Sequence, residues 1–421
     1  MVERTEVVVV GAGQAGLAMS EHLSGQGIDH IILERNRIAE SWRTMRWDSL
    51  VANGPAWHDR FPSQQFSDVD PDAFATKDQV TAYFELLAER ITAPVRCGVE
   101  VSSVSRKPHS TSFIAETTAG SVEADFVVSA TGPFQLPSIP ELIPASAGLD
   151  QLHSSAYRNP DQLRKGAVLV VGAGSSGVQI ADELLRAGRD VYLSVGAHER
   201  PPRRYRGRDF GWWLGVLGKW QAEHPPAGSE HVTIAVSGAH GGRTIDFREL
   251  AARGMKLLGP TEAYSHGLVR FTDSLRRNIE RGDANYLELL AEADAYIERM
   301  GLLLPEEPAA HRLGPLPVSV TAPQLELNLQ AAAVSTIIWA TGFRADYSWL
   351  QLDALDEQGK PRHRRGISSE PGLYFIGLPF LSARNSSFIW GAWQDARFIT
   401  GHIASQRGYL SYRGDARPKR P

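Results

Sequence analysis

Glu6-Val7-Val8-Val9-Val10-Gly11-Ala12-Gly13-Gln14-Ala15-Gly16 is the stretch that decides the fold. Four consecutive valines read as a strand buried on both faces, as in a parallel sheet. Three glycines at this spacing, set between a strand and an apolar helical face (Leu17, Ala18, Leu23), predict a tight turn that opens a helix. Gly25 and Gly27 end that helix, and Ile31-Ile32-Leu33-Glu34 supplies the next strand. The unit is strand, glycine turn, helix, strand, with a carboxylate at the second strand's end.

The pattern recurs further along. Ala167-Val168-Leu169-Val170-Val171 leads into Gly172-Ala173-Gly174-Ser175-Ser176-Gly177, a helical face through Ile180, Leu184 and Leu185, and a closing Val191-Tyr192-Leu193-Ser194. Two more apolar runs end alike. Phe126–Ser129 runs into Ala130-Thr131-Gly132, and Ile337–Trp339 into Ala340-Thr341-Gly342. They read as the closing strands of the two units. The expected fold is α/β, with two Rossmann-like dinucleotide-binding domains and the second inserted into the first.

Composition agrees with a globular chain. The 421 residues carry 44 Lys+Arg against 48 Asp+Glu, a net charge of −4, with 42% hydrophobic and 22% charged residues. That apolar content is too high for a disordered chain, and the charge balance offers no footprint for nucleic acid or an anionic membrane. Cys97 is the single cysteine, which excludes an intrachain disulfide, a redox-active cysteine pair and a cysteine-rich metal or iron–sulfur site. Acidic Glu3 and Glu6 stand where a signal peptide would be basic, and no run approaches the roughly 20 apolar residues of a membrane span. The expectation is a cytoplasmic protein with no metal.

Prolines cluster in 133–165 and again in 305–323, as interdomain connections do. The expected division is 1–160 with 331–421 for the first domain and 161–330 for the second, with a helical stretch at about 274–300. Gly372–His402 would return to complete the first domain, and Arg413–Pro421 reads as a disordered basic tail.

Each glycine has a chemical task. The first permits the turn, the second lets backbone approach a pyrophosphate, and the third lets helix pack on strand, while the helix N-terminus offers N–H donors to the phosphates. Glu34 suits a ribose 2′-hydroxyl. Ser194 stands at the corresponding place of the second unit, followed by arginines of which Arg200 and Arg203 are the favoured partners of a 2′-phosphate. These features predict FAD at the first site and NADPH at the second, and hence electron transfer between them. With no cysteine pair to reduce, O₂, a quinone or another small acceptor remains.

At this level the sequence resembles the flavin-containing monooxygenases, in the bacterial branch similar to plant indole-pyruvate monooxygenases. The resemblance rests on Gly11–Gly16, Glu34-Arg35, Ser41-Trp42, Gly172–Gly177, both Ala-Thr-Gly segments and Gly372-Leu-Tyr-Phe-Ile-Gly377. It implies that NADPH reduces FAD, that oxygen adds at flavin C4a, and that one oxygen atom passes to a small-molecule substrate. It also implies cofactor contacts from Val101, Gly377 and Trp390, and a catalytic amide at Asn53. His153, Tyr157 and Arg158 match the second half of the family's linker fingerprint; the first half is degenerate, with Ala147 at the phenylalanine position and Gly148 one residue out of register. Tyr157 stands where Baeyer–Villiger enzymes carry Trp. Ketone oxygenation, an NADPH oxidase or acceptor reductase, and a flavin-binding regulatory protein are the competing expectations. Trp212, Trp213 and Trp220 with Phe210 read as core or interface ahead of a substrate pocket.

Overall fold

The computed structural model describes residues 2–224 and 234–412, so the tail expected at Arg413–Pro421 lies outside the described residues. The chain divides into two compact units. One comprises Met1–Glu40, Tyr83–Pro133 and Ala345–Pro421; the other comprises Ser41–Ala82 and Phe134–Arg344.

In the first unit, Glu3–Val10 is a central strand paired in parallel with His30–Glu34 on one side and Gly120–Ser129 on the other. Its Val7, Val8 and Val9 are fully buried, as a run without polar residues requires. The sheet extends beyond His30–Glu34 to Val95–Cys97 and beyond Gly120–Ser129 to Leu373–Phe375. An antiparallel pair, Val101–Arg106 and Phe113–Thr117, is joined through Phe113–Thr117 to the first half of Gly120–Ser129. The helix Gln14–Gly25 ends where the glycines predict, with Gly27 in the left-handed region (φ +63°). It packs on the C-terminal helix Ile389–Ser411, which buries Ala392, Ala396, Ile399 and Ile403.

The second unit holds a five-stranded parallel sheet in the order Lys256–Leu258, Val191–Ser194, Ala167–Val171, Val334–Trp339, Asp150–His153. Ala167–Val171 is buried throughout, and its helix Ser175–Arg186 buries Val178, Ile180, Ala181 and Leu184 against it. The charge-rich stretch forms one helix, Leu275–Met300.

The unit limits differ from those expected from sequence. Asp150–His153 and Val334–Trp339 are hydrogen-bonded members of the second sheet, so the chain changes unit at 133/134 and 344/345 rather than at 160/161 and 330/331. A strand satisfies its main-chain N–H and C=O groups only beside its neighbours, and pairing outweighs the proline signal. Residues 41–82 also belong with the second unit, and the proline-rich 305–323 lies inside it.

Candidate active site

Both glycine turns are built to one plan. Gly11 adopts φ +108°, and a Cβ there would stand 2.7 Å from the carbonyl oxygen of Ala130. Gly172 adopts φ +107°, with the Ala340 carbonyl oxygen 2.4 Å from the same imagined atom. The alanine of each Ala-Thr-Gly segment thus closes over its glycine turn, held by Ala130 N–H to Val10 O and Ala340 N–H to Val171 O. The third glycines are equally constrained: a Cβ on Gly16 or Gly177 would lie 1.9 Å from the carbonyl of Gly11 or Gly172. Gly13 is different. It caps its helix, and a Cβ there would meet nothing within 4 Å. The surface over Gly13 is a cradle that a side chain would fill, which fits the close approach of a pyrophosphate. Gly174 caps the second helix in similar extended geometry.

Around the first turn, Glu34 accepts from the Ala12 N–H (2.8 Å) and from the Asn36 N–H (2.8 Å). A carboxylate has about four acceptor positions, so room remains for a hydroxyl donor. Arg35 follows, exposed to solvent. Gln14 donates from Nε2 to Ser387 O (2.8 Å), fastening the turn to the segment before the C-terminal helix. Gly377 (φ +78°) passes so near that its Cβ would be 2.9 Å from that of Ala15. Trp390 is the second residue of the C-terminal helix and half-buried; Val101 begins its strand, also half-buried. Thr131 lies beside Ser129, and Gly132 (φ +71°) turns the chain away.

Ser41 and Trp42, on the short helix Glu40–Thr44, fall in the second unit; Trp42 packs on that unit's core. There Ser175 donates to Ile234 O (2.7 Å), and Ser176 is half-buried at the helix start. Thr341 donates to Ser138 O. Gly342 O accepts from His153 Nε2 (2.8 Å), while Nδ1 of His153 accepts from the Ser155 N–H. Tyr157 is fully buried and donates to Glu183 (2.7 Å). The linker fingerprint therefore ties its own segment to the sheet end and to the helix Ser175–Arg186.

The residues expected to read a 2′-phosphate are engaged elsewhere. Ser194 is buried and donates to Gly259 O (2.9 Å). Arg200 is 2% exposed and pairs with Asp283 (2.8 Å), which also takes Arg248 (2.6 Å). Arg203, also 2% exposed, pairs with Asp209 (2.6 Å) between the rings of Phe74 and Phe210. A buried guanidinium requires a carboxylate, and these two have theirs. Arg204 and Arg208 remain exposed and outside any ion pair among the described residues. Trp213 and Trp220 donate to Tyr205 O and Gly211 O and are core.

Asn53 is half-buried in the second unit. Its Oδ1 accepts from Gln179 Nε2 (2.8 Å) and its main-chain carbonyl accepts from Arg203. Gln179, which no sequence motif singles out, also borders a cavity of about 370 Å³ with Trp47, Ser49, Glu183, Ser237 and Arg243. No helix among the described residues is long and apolar enough to cross a membrane.

Two such glycine turns in one chain define an α/β fold of the FAD/NAD(P)-binding kind. A family model for pyridine nucleotide-disulphide oxidoreductases matches residues 8–208. A CzcO-like uncharacterized oxidoreductase of Geobacillus kaustophilus is 33% identical over 404 residues, covering 94% of this chain and 98% of the relative. The probable indole-3-pyruvate monooxygenase YUCCA3 of Arabidopsis thaliana is 26% identical, covering 95% and 86%. In structure the chain is similar to a flavin-containing monooxygenase from Stenotrophomonas maltophilia, with a TM-score of 0.67, 20% identity and coverage of 96% and 100%. The chain belongs to the family of the CzcO-like oxidoreductases.

Proposed function

We propose that this oxidoreductase is a class B flavoprotein monooxygenase that holds FAD on the Gly11–Gly16 turn, with Glu34 on the adenosine ribose, and NADPH on the Gly172–Gly177 turn. In this reading the second unit is an NADPH domain inserted into the FAD domain, and a small molecule receives one atom of O₂ on nitrogen, sulfur or carbon. When bound, the flavin supplies hydride acceptance from the nicotinamide and reaction with O₂. The observation that carries the reading is the duplicated turn, each copy closed by an alanine carbonyl and followed by a helix N-terminus.

The chain's own groups bind and orient. Helix N-terminal N–H groups at Gln14 and Ser175 face phosphate charge. Gln14 ties the segment before the C-terminal helix to the first turn, and Gly377 packs against Ala15 beside it. Asn53 offers Nδ2–H to the reacting oxygen or the nicotinamide, a donor that is not a competing acid.

The test is anaerobic mixing of FAD-loaded protein with NADPH, then ¹⁸O₂, with sulfides, amines, ketones and 2-oxo acids as candidate substrates. The 2-oxo acids are included because the plant relatives are named for indole-3-pyruvate. Bleaching of the flavin followed by a product carrying one ¹⁸O is expected. Hydrogen peroxide as the only product with every candidate would move the reading to an NADPH oxidase, and an ester or lactone product to ketone oxygenation.

A further inference from the structure

The buried amide of Gln179 fixes which way the Asn53 side chain faces. Gln179 is 9% exposed and donates from Nε2 to Val236 O (2.7 Å) and to Asn53 Oδ1 (2.8 Å). A peptide carbonyl only accepts, so the Gln179 group facing Val236 must be its NH₂. The second proton of that NH₂ then points at Asn53, whose facing atom must be the oxygen. The Asn53 Nδ2 is left on the other side, with no protein acceptor among the described residues.

The main chain is pinned as well. Ala52 N–H donates to Ala75 O (2.7 Å), Asn53 O accepts from Arg203, and Gly54 N–H donates to Asp59 (2.8 Å). Gly238 packs so closely that a Cβ there would lie 2.2 Å from Ala52 O. A main-chain group of each of three consecutive residues and one side-chain oxygen are thus held, while the Asn53 side-chain N–H pair meets no acceptor among the described residues. A donor held in place before reaction needs no reorganisation when charge develops.

We propose that Gln179 is a positioning residue that fixes the orientation of the Asn53 Nδ2–H pair needed for oxygenation, with Arg203 holding the same residue through its carbonyl. The inference rests on the proposed catalytic role of Asn53. Gln179 lies two residues beyond Gly177, on the helix that follows the second glycine turn, so one helix carries both the nucleotide cradle and the support of the donor amide.

The experiment compares N53A, Q179M, Q179E and N53A/Q179M as FAD-loaded proteins. Oxygenated product per NADPH oxidised is measured, together with the Asn53 side-chain NH₂ resonances in ¹⁵N-asparagine-labelled protein, assigned by their loss in N53A. Methionine keeps the length of glutamine without a donor, and glutamate replaces the donor with an acceptor. Product yield in Q179M should fall about threefold to tenfold, with the NADPH KM within about twofold of wild type and the Asn53 resonances shifted or doubled. Q179E should fall at least about tenfold, as one misdirected donor costs on the order of 10²-fold in comparable sites. N53A/Q179M should match N53A within about twofold, since a residue acting through Asn53 has nothing left to position. Should N53A lose yield while Q179M keeps wild-type yield and unchanged resonances, the positioning role is overturned and Asn53 stands. Multiplicative losses in the double variant would also overturn it. If N53A itself loses nothing, the role of Asn53 falls first and that of Gln179 with it.

Discussion

The carbonyl oxygen of Ala340 sits 2.4 Å from where a Cβ on Gly172 would be. In the first unit, Ala130 stands 2.7 Å from the same point on Gly11. The Ala-Thr-Gly segments, more than a hundred residues beyond their turns, are thus the lids that force glycine at the first position. Their main-chain oxygens set the geometry.

That geometry separates the glycines by consequence. Gly16→Ala drives a methyl to 1.9 Å from the Gly11 carbonyl and should destabilise the chain by more than about 3 kcal/mol, read as loss of folded protein in denaturant titration. Gly13→Ala has open space and a permitted φ of −82°, so it should fold as wild type yet bind FAD at least about tenfold more weakly by fluorescence titration. Equal FAD affinity in Gly13→Ala would remove the pyrophosphate from that surface.

Arg203→Met strands the carboxylate of Asp209 and should lower unfolding free energy by about 3–5 kcal/mol, whereas Arg200→Met leaves Asp283 paired with Arg248 and should cost less. The ratio of kcat/KM for NADPH to that for NADH should stay where it is in whatever protein folds. A collapse of that ratio would return the 2′-phosphate to these residues.

Tyr157→Phe removes the hydroxyl that meets Glu183. About 1–3 kcal/mol of stability should go with it, since the partner loses a hydrogen bond in a part-buried place. The KM for NADPH should change by less than about twofold. A large KM effect with little stability loss would give the linker fingerprint a direct nucleotide role.

Acid should weaken the fold. Burial holds the imidazoles of His198 and His30 below their ordinary value, and backbone carbonyls of Gly196 and Ile28 only partly oppose it. The unfolded chain therefore binds protons more tightly. The stabilisation is complete above about pH 6.5 and is lost progressively as pH falls from there toward the folded-state values. The urea midpoint should drop between pH 7.5 and 5.5, and His198→Gln, neutral at both, should drop less. An identical slope in the variant would exclude His198 as a contributor.

The sequence by itself determined the two strand–glycine–helix–strand units, because four valines before Gly11 and the apolar run before Gly172 have one economical use: central parallel strands. Period and glycine spacing are local properties, and local geometry follows from them. What Arg200, Arg203 and Ser194 do was not local. They follow the second unit as phosphate readers should, yet Asp283, about eighty residues on, and Asp209, across a short hairpin, claim the guanidiniums, and Gly259 claims the hydroxyl. The unit limits were likewise decided by pairing, which put Asp150–His153 and Val334–Trp339 into the second sheet. Gln179 carried no motif at all. Only the tertiary structure could bring its amide to Asn53 and Val236, because hydrogen-bond partners in a folded chain are chosen by proximity and burial rather than by sequence spacing.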